Sequence, residues 1–167
     1  MLILAVSWPQ ETPGHKTKNH ISLSANSLDY ETDKKPANLR NLKLCPKDWL
    51  LHENKCYWIS GEKQTWNESR DNCRAKDSEL AILKEEAELH YIHHVTKGAQ
   101  MLWIGLSANS KTRKWLWMDN SPYNNKEKPN IMEAQGNSCG MVKGPKVISE
   151  SCSAVTKWIC ETEALII

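Results

Sequence analysis

The segment Leu102-Trp-Ile-Gly-Leu106, together with Trp115-Leu-Trp-Met-Asp119 a short way downstream, decides the fold of this chain. In each segment, large apolar side chains recur at every second position. Side chains of a β-strand point alternately to its two faces, so a period of two is typical of strands. We therefore predict one strand in each segment.

Two helices are predicted upstream of these strands. Thr65-Trp-Asn-Glu68 fits a capping box, in which the Thr oxygen and the Glu carboxylate bind otherwise unpaired amides at a helix start. It predicts a helix near residues 65–76 that carries Cys73. A second helix is predicted over residues 84–95, where apolar residues recur near helical spacing after an acidic start, and Gly98 is expected to end it.

The remaining pattern consists of short strands and one long loop. Residues 120–130 are mostly turn-forming and polar, which predicts a loop. Two helices combined with antiparallel sheet place the chain in the α+β class. Four further short strands are predicted, at residues 55–59, 138–142, 146–148 and 157–160.

The size and composition of the chain favour one globular domain with a tail. The chain has 167 residues, of which 40% are hydrophobic and 25% charged. Twenty-two Lys and Arg residues against twenty Asp and Glu leave a net charge of +2, which argues against a nucleic-acid partner. The longest apolar stretch, Met1 to Val6, is far shorter than the roughly 20 residues that span a bilayer.

Six cysteines indicate a disulfide framework and therefore an oxidising, secretory environment. Zinc is less compatible with this pattern, because no two cysteines are two to four residues apart and the histidines lie elsewhere. Sequence alone selects no single pairing. Two bridges would each close a short loop and leave one distant pair: Cys45 with Cys56, Cys139 with Cys152, and Cys73 with Cys160.

Tryptophan supplies most of the aromatic volume of the predicted core. The chain has eight tryptophans and no phenylalanine. A buried indole N–H needs a hydrogen-bond partner, so these side chains are interpreted first as structural.

The two strand segments, the cysteine spacing and the closing Trp158-Ile-Cys160 resemble the C-type lectin-like domain, over roughly residues 45–160. Within that region the chain is most similar to the natural killer cell lectin-like receptors, particularly subfamilies F and B. Three motifs carry this second resemblance: Cys45-Pro-Lys-Asp-Trp49, Lys55-Cys-Tyr-Trp58 and Ser149-Glu-Ser-Cys-Ser153.

The resemblance implies the C-type lectin-like fold with the cysteines paired in the order given above, the first bridge marking the long form of the domain. Members are usually type II membrane receptors with a cytoplasmic tail, one span, a stalk and this domain outside the cell. Residues 1–44 are accordingly interpreted as a flexible stalk, 45–161 as the lectin-like domain and 162–167 as a C-terminal tail. Met1 to Val6 is interpreted as the stub of a span lost through an alternative start, splicing or an incomplete gene model, and we expect either a truncated form of a cell-surface receptor or a secreted, soluble decoy.

Sugar-binding members of this family hold Ca²⁺ through two triplets of oxygen ligands. Ca²⁺ takes six to eight oxygens, and a Glu-Pro-Asn or Gln-Pro-Asp triplet and a Trp-Asn-Asp triplet supply them. Here the first position reads Lys128-Pro129-Asn130 and the second Val147-Ile-Ser149, so an ammonium and two aliphatic chains replace ligands. The resemblance therefore implies no metal or other cofactor and a calcium-independent receptor. The alternative, a calcium-dependent carbohydrate-binding lectin, depends on whether Glu127 or Asn130 can coordinate the ion.

Basic side chains surround the predicted long loop and the strands next to it. They are interpreted as one basic face that docks an acidic protein surface, and the alternative is that they are separate solvated side chains. The resemblance implies that the partner is a protein ligand on another cell, itself C-type lectin-like. The residues are Lys111, Arg113, Lys114, Lys126, Lys128, Lys143 and Lys146.

The other chemical groups suggest no reaction. His90, His93 and His94 share one face of the second predicted helix, but no acidic or Cys ligand is fixed beside them, so a solvated face is favoured over a metal site. All six cysteines are assigned to bridges and no serine-centred nucleophile motif occurs, so we predict no enzymatic activity and no catalytic residue.

Two further predictions concern modification and assembly. Asn67-Glu-Ser69 is a glycosylation sequon at the entry of the first helix. Members of the family often form homodimers, but the predicted stalk contains no cysteine, so any homodimer is expected to be noncovalent.

Overall fold

A computed structural model of the chain describes residues 5–6, 41–98, 100–124 and 136–167. Most of the predicted stalk, residues 1–4 and 7–40, therefore lies outside the described residues. The described residues form two compact units, one from the segment that ends at Cys56 together with Glu163–Ile167 and the other from the segment between Tyr57 and Thr162. Within the described ranges, no helix is long and apolar enough to cross a membrane.

The first unit is built around strand β2. Its neighbours are β1, which runs parallel to it, and β11, which runs antiparallel. The disulfide between Cys45 and Cys56 lies in this unit. The strands of this unit are β1 (Ala5–Val6), β2 (Lys43–Pro46), β3 (Leu50–His52), the start of β4 (Lys55–Ile59) and β11 (Leu165–Ile166).

Both predicted helices form in the second unit. Helix α1 (Trp66–Ala75) begins after Thr65, whose hydroxyl accepts from Glu68 N while the Glu68 carboxylate accepts from Thr65 N, so the predicted capping box is present. Helix α2 (Glu86–Val95) starts two residues later than predicted. It ends before Gly98, which has a φ of +65° and donates its N–H to the His93 carbonyl.

The sheet of the second unit has the strand order β4, β10, β6, β8, β9, and the short strands β5 and β7 pair with β10 and β6. β6 pairs antiparallel with β7 and β8 but parallel with β10, where Lys157 lies opposite Leu102. The pairing with β10 makes this sheet mixed, while the pairings of β6 with β7, β6 with β8 and β8 with β9 are antiparallel, as predicted. The strands are β5 (Glu79–Leu80), β6 (Met101–Ala108), β7 (Trp115–Trp117), β8 (Ser138–Lys143), β9 (Lys146–Ser151) and β10 (Lys157–Glu163).

β7 is shorter than the predicted strand. Asn120 has a φ of +67°, and Trp117 N donates to the Ser121 carbonyl, so the chain turns directly after Trp117. Met118 and Asp119, which the period-two pattern placed in the strand, belong to this turn.

The core of the second unit surrounds β6. Leu102, Trp103, Ile104, Gly105 and Leu106 are all buried, because both faces of this central strand are covered. The period-two pattern predicted the strand but not that both of its faces are covered. A Cβ added at Gly105 would lie 2.6 Å from the Leu80 carbonyl oxygen, so only glycine allows this approach.

The three disulfides have the pairing that the resemblance implied. Besides the bridge in the first unit, Cys73 of α1 is bonded to Cys160 of β10, and Cys139 of β8 is bonded to Cys152, which follows β9. All six cysteines of the chain are used within the chain.

Candidate ligand-binding face

The long loop leaves the sheet at the carboxyl end of β6. Trp117, the last residue before the loop, lies opposite Leu106, and Cys139, at the start of the strand after it, lies opposite Ser107. Residues 118–124 and 136–137 form the two described stems of the loop. The sheet therefore holds both stems at the same end of one strand.

The first stem is a hydrogen-bonded turn centred on Asp119. Its carboxylate accepts from the N–H and the hydroxyl of Ser121 and from the ammonium of Lys84. These hydrogen bonds, the one from Lys84 first, lower the pKa of Asp119 to about 2. Tyr123 then packs its ring 5.8 Å from that of Trp117, and burial raises the pKa of its phenol to about 12.

The second stem is tied down by a disulfide and by hydrogen bonds. Cys139 is bonded to Cys152, whose N–H donates to the Asn137 carbonyl. The Asn137 side-chain amide donates to the Ser153 hydroxyl at 3.1 Å. Both ends of the loop are thus fixed independently of the loop itself.

A cationic turn lies at the same end of the sheet as the loop stems. Residues 109–114 connect β6 to β7, and the side-chain carbonyl of Asn109 accepts from two amides of this turn, Lys111 N and Thr112 N. Arg113 adopts a φ of +57° and donates its N–H to the Asn109 carbonyl. We call this segment the 109–114 turn.

Three of the predicted basic residues, Lys111, Arg113 and Lys114, are exposed on the 109–114 turn. Among the described residues, no carboxylate lies within ion-pair distance of any of them. They therefore present three positive charges to solvent beside the loop stems.

The other described members of the predicted basic face lie elsewhere. Lys143 of β8 is opposite Met101 at the amino end of β6. Lys146 of β9 is opposite Lys143 in the β8–β9 hairpin. Since β6 runs from Met101 to Ala108, roughly 20 Å separate this hairpin from the 109–114 turn. The strand register divides the predicted face into two groups, while Lys126 and Lys128 lie outside the described residues.

Only one of the two calcium-ligand positions can be described. Glu127 and Lys128-Pro129-Asn130 lie outside the described residues. Val147, Ile148 and Ser149 lie in β9, where Val147 is buried in the core and none of the three offers a carboxylate. The next acidic residue, Glu150, is exposed and accepts a hydrogen bond from Ser151 N.

The three histidines lie along α2, where they line a cavity of about 590 Å³ together with Lys97. Across residues 41–98, 100–124 and 136–167, no three His, Cys, Asp or Glu side chains are arranged to hold a metal ion. Asn67, the predicted glycosylation site, is exposed in the first turn of α1.

The turn at Asp119 and its pairing with Lys84 were not predicted from the sequence. Asp119-Asn-Ser121 has the composition of a turn in which a side chain binds the backbone two residues on, and that signal could have located it. The partner 35 positions away in sequence had no such local signal.

Comparison with known proteins places these features in a family. The family model of the Lectin C-type domain matches residues 62–162. The chain belongs to the C-type lectin domain family. The resemblance noted from the sequence is thereby confirmed at the level of the family.

Curated relatives of this C-type lectin domain are receptors of subfamilies F and B, as the sequence motifs suggested. Killer cell lectin-like receptor subfamily F member 1 of Homo sapiens is 37% identical over 118 residues, covering 71% of this chain and 51% of the relative. Subfamily B member 1B allele C of Rattus norvegicus is 36% identical over 129 residues, covering 77% of this chain and 56% of the relative. The chain spans about half the length of these relatives.

Solved structures confirm the C-type lectin fold. The mouse scavenger receptor C-type lectin carbohydrate-recognition domain matches with a TM-score of 0.62 at 29% identity, covering 71% of this chain and 96% of that one. The C-type lectin domain of murine dendritic cell inhibitory receptor 2, solved in complex with N-glycan, matches with a TM-score of 0.61 at 26% identity, covering 71% and 98%.

Proposed function

We propose that this C-type lectin domain is the ectodomain of a cell-surface receptor of the natural killer type, which binds a protein ligand without calcium and catalyses no reaction. The observation that carries the proposal is the triplet Val147, Ile148 and Ser149. A strand whose side chains at this position are aliphatic or hydroxyl offers none of the carboxylate and amide oxygens that Ca²⁺ prefers.

The 109–114 turn and the two loop stems form the proposed ligand face. Three exposed cations without ion-pair partners among the described residues would attract an acidic surface and orient it during encounter. The fixed stems of the loop supply a rigid base, so binding would lose little conformational entropy there. We propose a C-type lectin-like protein on another cell as the partner, because the relatives are themselves receptors with such domains.

The wider organisation of the protein is part of the same proposal. Residues 45–161 are the proposed lectin-like domain, residues 1–44 a stalk and residues 162–167 a tail. We propose display at the extracellular face of the plasma membrane, or release as a soluble decoy form. An N-glycan on Asn67 is proposed because that side chain is exposed within the sequon.

Calcium independence is tested by thermal unfolding of the full chain with millimolar CaCl₂ and with a chelator. A ligand that binds only the folded state raises the melting temperature, so no difference between the two conditions is expected. Calcium-dependent stabilisation would refute the proposal.

The ligand face is tested by charge reversal. Fluorescent tetramers of the chain are used to stain a panel of cells that each express one C-type lectin-like ectodomain. The variant K111E/R113E/K114E is expected to lose staining, whereas the matched variant K143E, at the far hairpin, is expected to keep it. Equal loss in both variants would contradict the assignment of the face to the 109–114 turn.

A second candidate function is calcium-dependent carbohydrate binding. It is favoured by one observation, that the similar domain of murine dendritic cell inhibitory receptor 2 was solved with an N-glycan. Binding of the chain to a glycan array that a chelator abolishes would select this alternative.

A further inference from the structure

The outer edge of β9 is open. β9 is the last strand of its sheet, next to β8, and no described strand pairs with its other side. An edge strand exposes a row of backbone N–H and C=O groups that can pair with another extended chain.

The register of the β8–β9 hairpin shows which backbone groups face outward. Lys143 and Lys146 close a two-residue turn whose first residue, Gly144, has a φ of +59°. In such a hairpin the closing pair exchanges hydrogen bonds, and so does every second pair after it, including Met141 with Ile148. The N–H and C=O groups of Val147 and Ser149 therefore point away from β8, and in the described chain neither has a hydrogen-bond partner on that side.

The side chains along this edge are self-complementary. Lys146, Ile148 and Glu150 lie on one face of β9, with the two charged residues exposed and the isoleucine half-buried between them. A two-fold axis through Ile148 would place Lys146 of each copy opposite Glu150 of the other copy. The Ile148 side chains of the two copies would lie opposite each other. Opposite charges and β-branched residues directly across from one another stabilise antiparallel strand pairs.

We propose that two copies of this chain pair antiparallel through the outer edges of β9, with Ile148 at the two-fold axis. In this register Val147 of one copy faces Ser149 of the other, so their outward N–H and C=O groups can exchange hydrogen bonds. A shift by two residues would separate both charge pairs, so the charges select the register. The pairing needs no interchain disulfide, and every cysteine is already bonded within the chain.

The contact is short, so the dimer is expected to be weak and reversible in solution and to be stabilised further where copies are held at high local concentration. This inference concerns self-association, and it does not rest on the proposed ligand face.

The test is sedimentation velocity of the full chain over a concentration series at low salt. The wild-type chain is expected to show a reversible monomer–dimer equilibrium that weakens as salt is added, since the exposed pairs are screened. E150K and K146E each replace two attractive pairs by repulsive ones, so each is expected to raise the dissociation constant about tenfold or more. The double variant K146E/E150K restores opposite charges and is expected to restore the dimer.

Two matched controls separate this edge from other surfaces. K97E reverses the charge of an exposed lysine that follows α2, outside the sheet, and I166K changes an exposed residue of the edge strand β11. Neither is expected to change the dissociation constant, and near-ultraviolet circular dichroism confirms that each variant is folded. A chain that stays monomeric at its highest soluble concentration, a dimer that E150K leaves intact, or one that I166K alone disrupts would overturn the proposal.

Discussion

The ammonium nitrogen of Lys84 lies 2.5 Å from a carboxylate oxygen of Asp119, and this ion pair joins the segment before α2 to the first stem of the long loop. Both side chains are nearly half exposed, at 42% and 45%. The pair therefore positions the stem at the surface rather than contributing to the core.

The substitution Asp119→Asn is expected to make the melting temperature depend less steeply on pH at acidic pH. Asp119 has a folded-state pKa of about 2, below its unfolded value. The ionised carboxylate therefore adds to the free energy of unfolding above about pH 4, and this stabilisation is lost as the pH falls towards 2. Because solvent screens an exposed pair, the effect should be below about 1 kcal/mol. Melting temperatures of both proteins across this pH range give the measurement, and parallel curves would contradict the assignment.

The indole of Trp66 is expected to stabilise the fold through its N–H as well as its volume. This N–H donates to the Ile104 carbonyl at 2.9 Å, where the register between β6 and β8 shifts. Trp66→Phe removes this buried hydrogen bond, whereas the matched change Trp158→Phe removes an N–H that has no partner among the described residues. We expect Trp66→Phe to lower the free energy of unfolding by about 1–3 kcal/mol more than Trp158→Phe. Equal losses in denaturant titrations would show that volume alone matters.

Of the two bridges in the second unit, the one between Cys73 and Cys160 is expected to stabilise the domain more. It joins residues 87 positions apart, against 13 for Cys139 and Cys152. Under the chain-entropy model, removing the bridge that closes the longer loop lowers the free energy of unfolding by about 4–5 kcal/mol, and removing the other bridge lowers it by about 3 kcal/mol. Urea unfolding of C73A/C160A and C139A/C152A compares them, and a larger loss in the second variant would contradict the model.

Any side chain at Gly105 is expected to disrupt the centre of the sheet. A Cβ there would also lie 2.8 Å from Met118, besides its clash with the Leu80 backbone. We expect Gly105→Ala to lower the free energy of unfolding by about 2–4 kcal/mol, because backbone on one side leaves little room to relax. Gly61→Ala, where a Cβ would meet nothing within 4 Å, is the control and should be nearly neutral. Similar melting temperatures for the two variants would refute this explanation.

Local signals predicted much of the secondary structure. The capping box at Thr65 and Glu68 correctly located the start of α1, because both of its hydrogen bonds join residues three positions apart. The period-two pattern correctly located β6 but not its environment. Whether one or two faces are covered depends on what packs against the strand, and residues distant in sequence decide that.

The candidate ligand face was predicted less well than the fold. The basic residues were identified by composition, but their grouping follows from strand register: Lys114 and Lys143 lie at opposite ends of β6. Ligand contact by Lys126 and Lys128 stays a prediction, as does the first calcium triplet.

The sequence by itself determined the family, the number of disulfides and the absence of a carboxylate from the triplet Val147, Ile148 and Ser149, because each depends only on residue identity and spacing. Tertiary structure alone decided which charges lie together, that Lys84 reaches Asp119, and that Lys146 and Glu150 flank an open edge. Electrostatic attraction and backbone pairing act through space, and only the folded chain fixes the distances on which they depend.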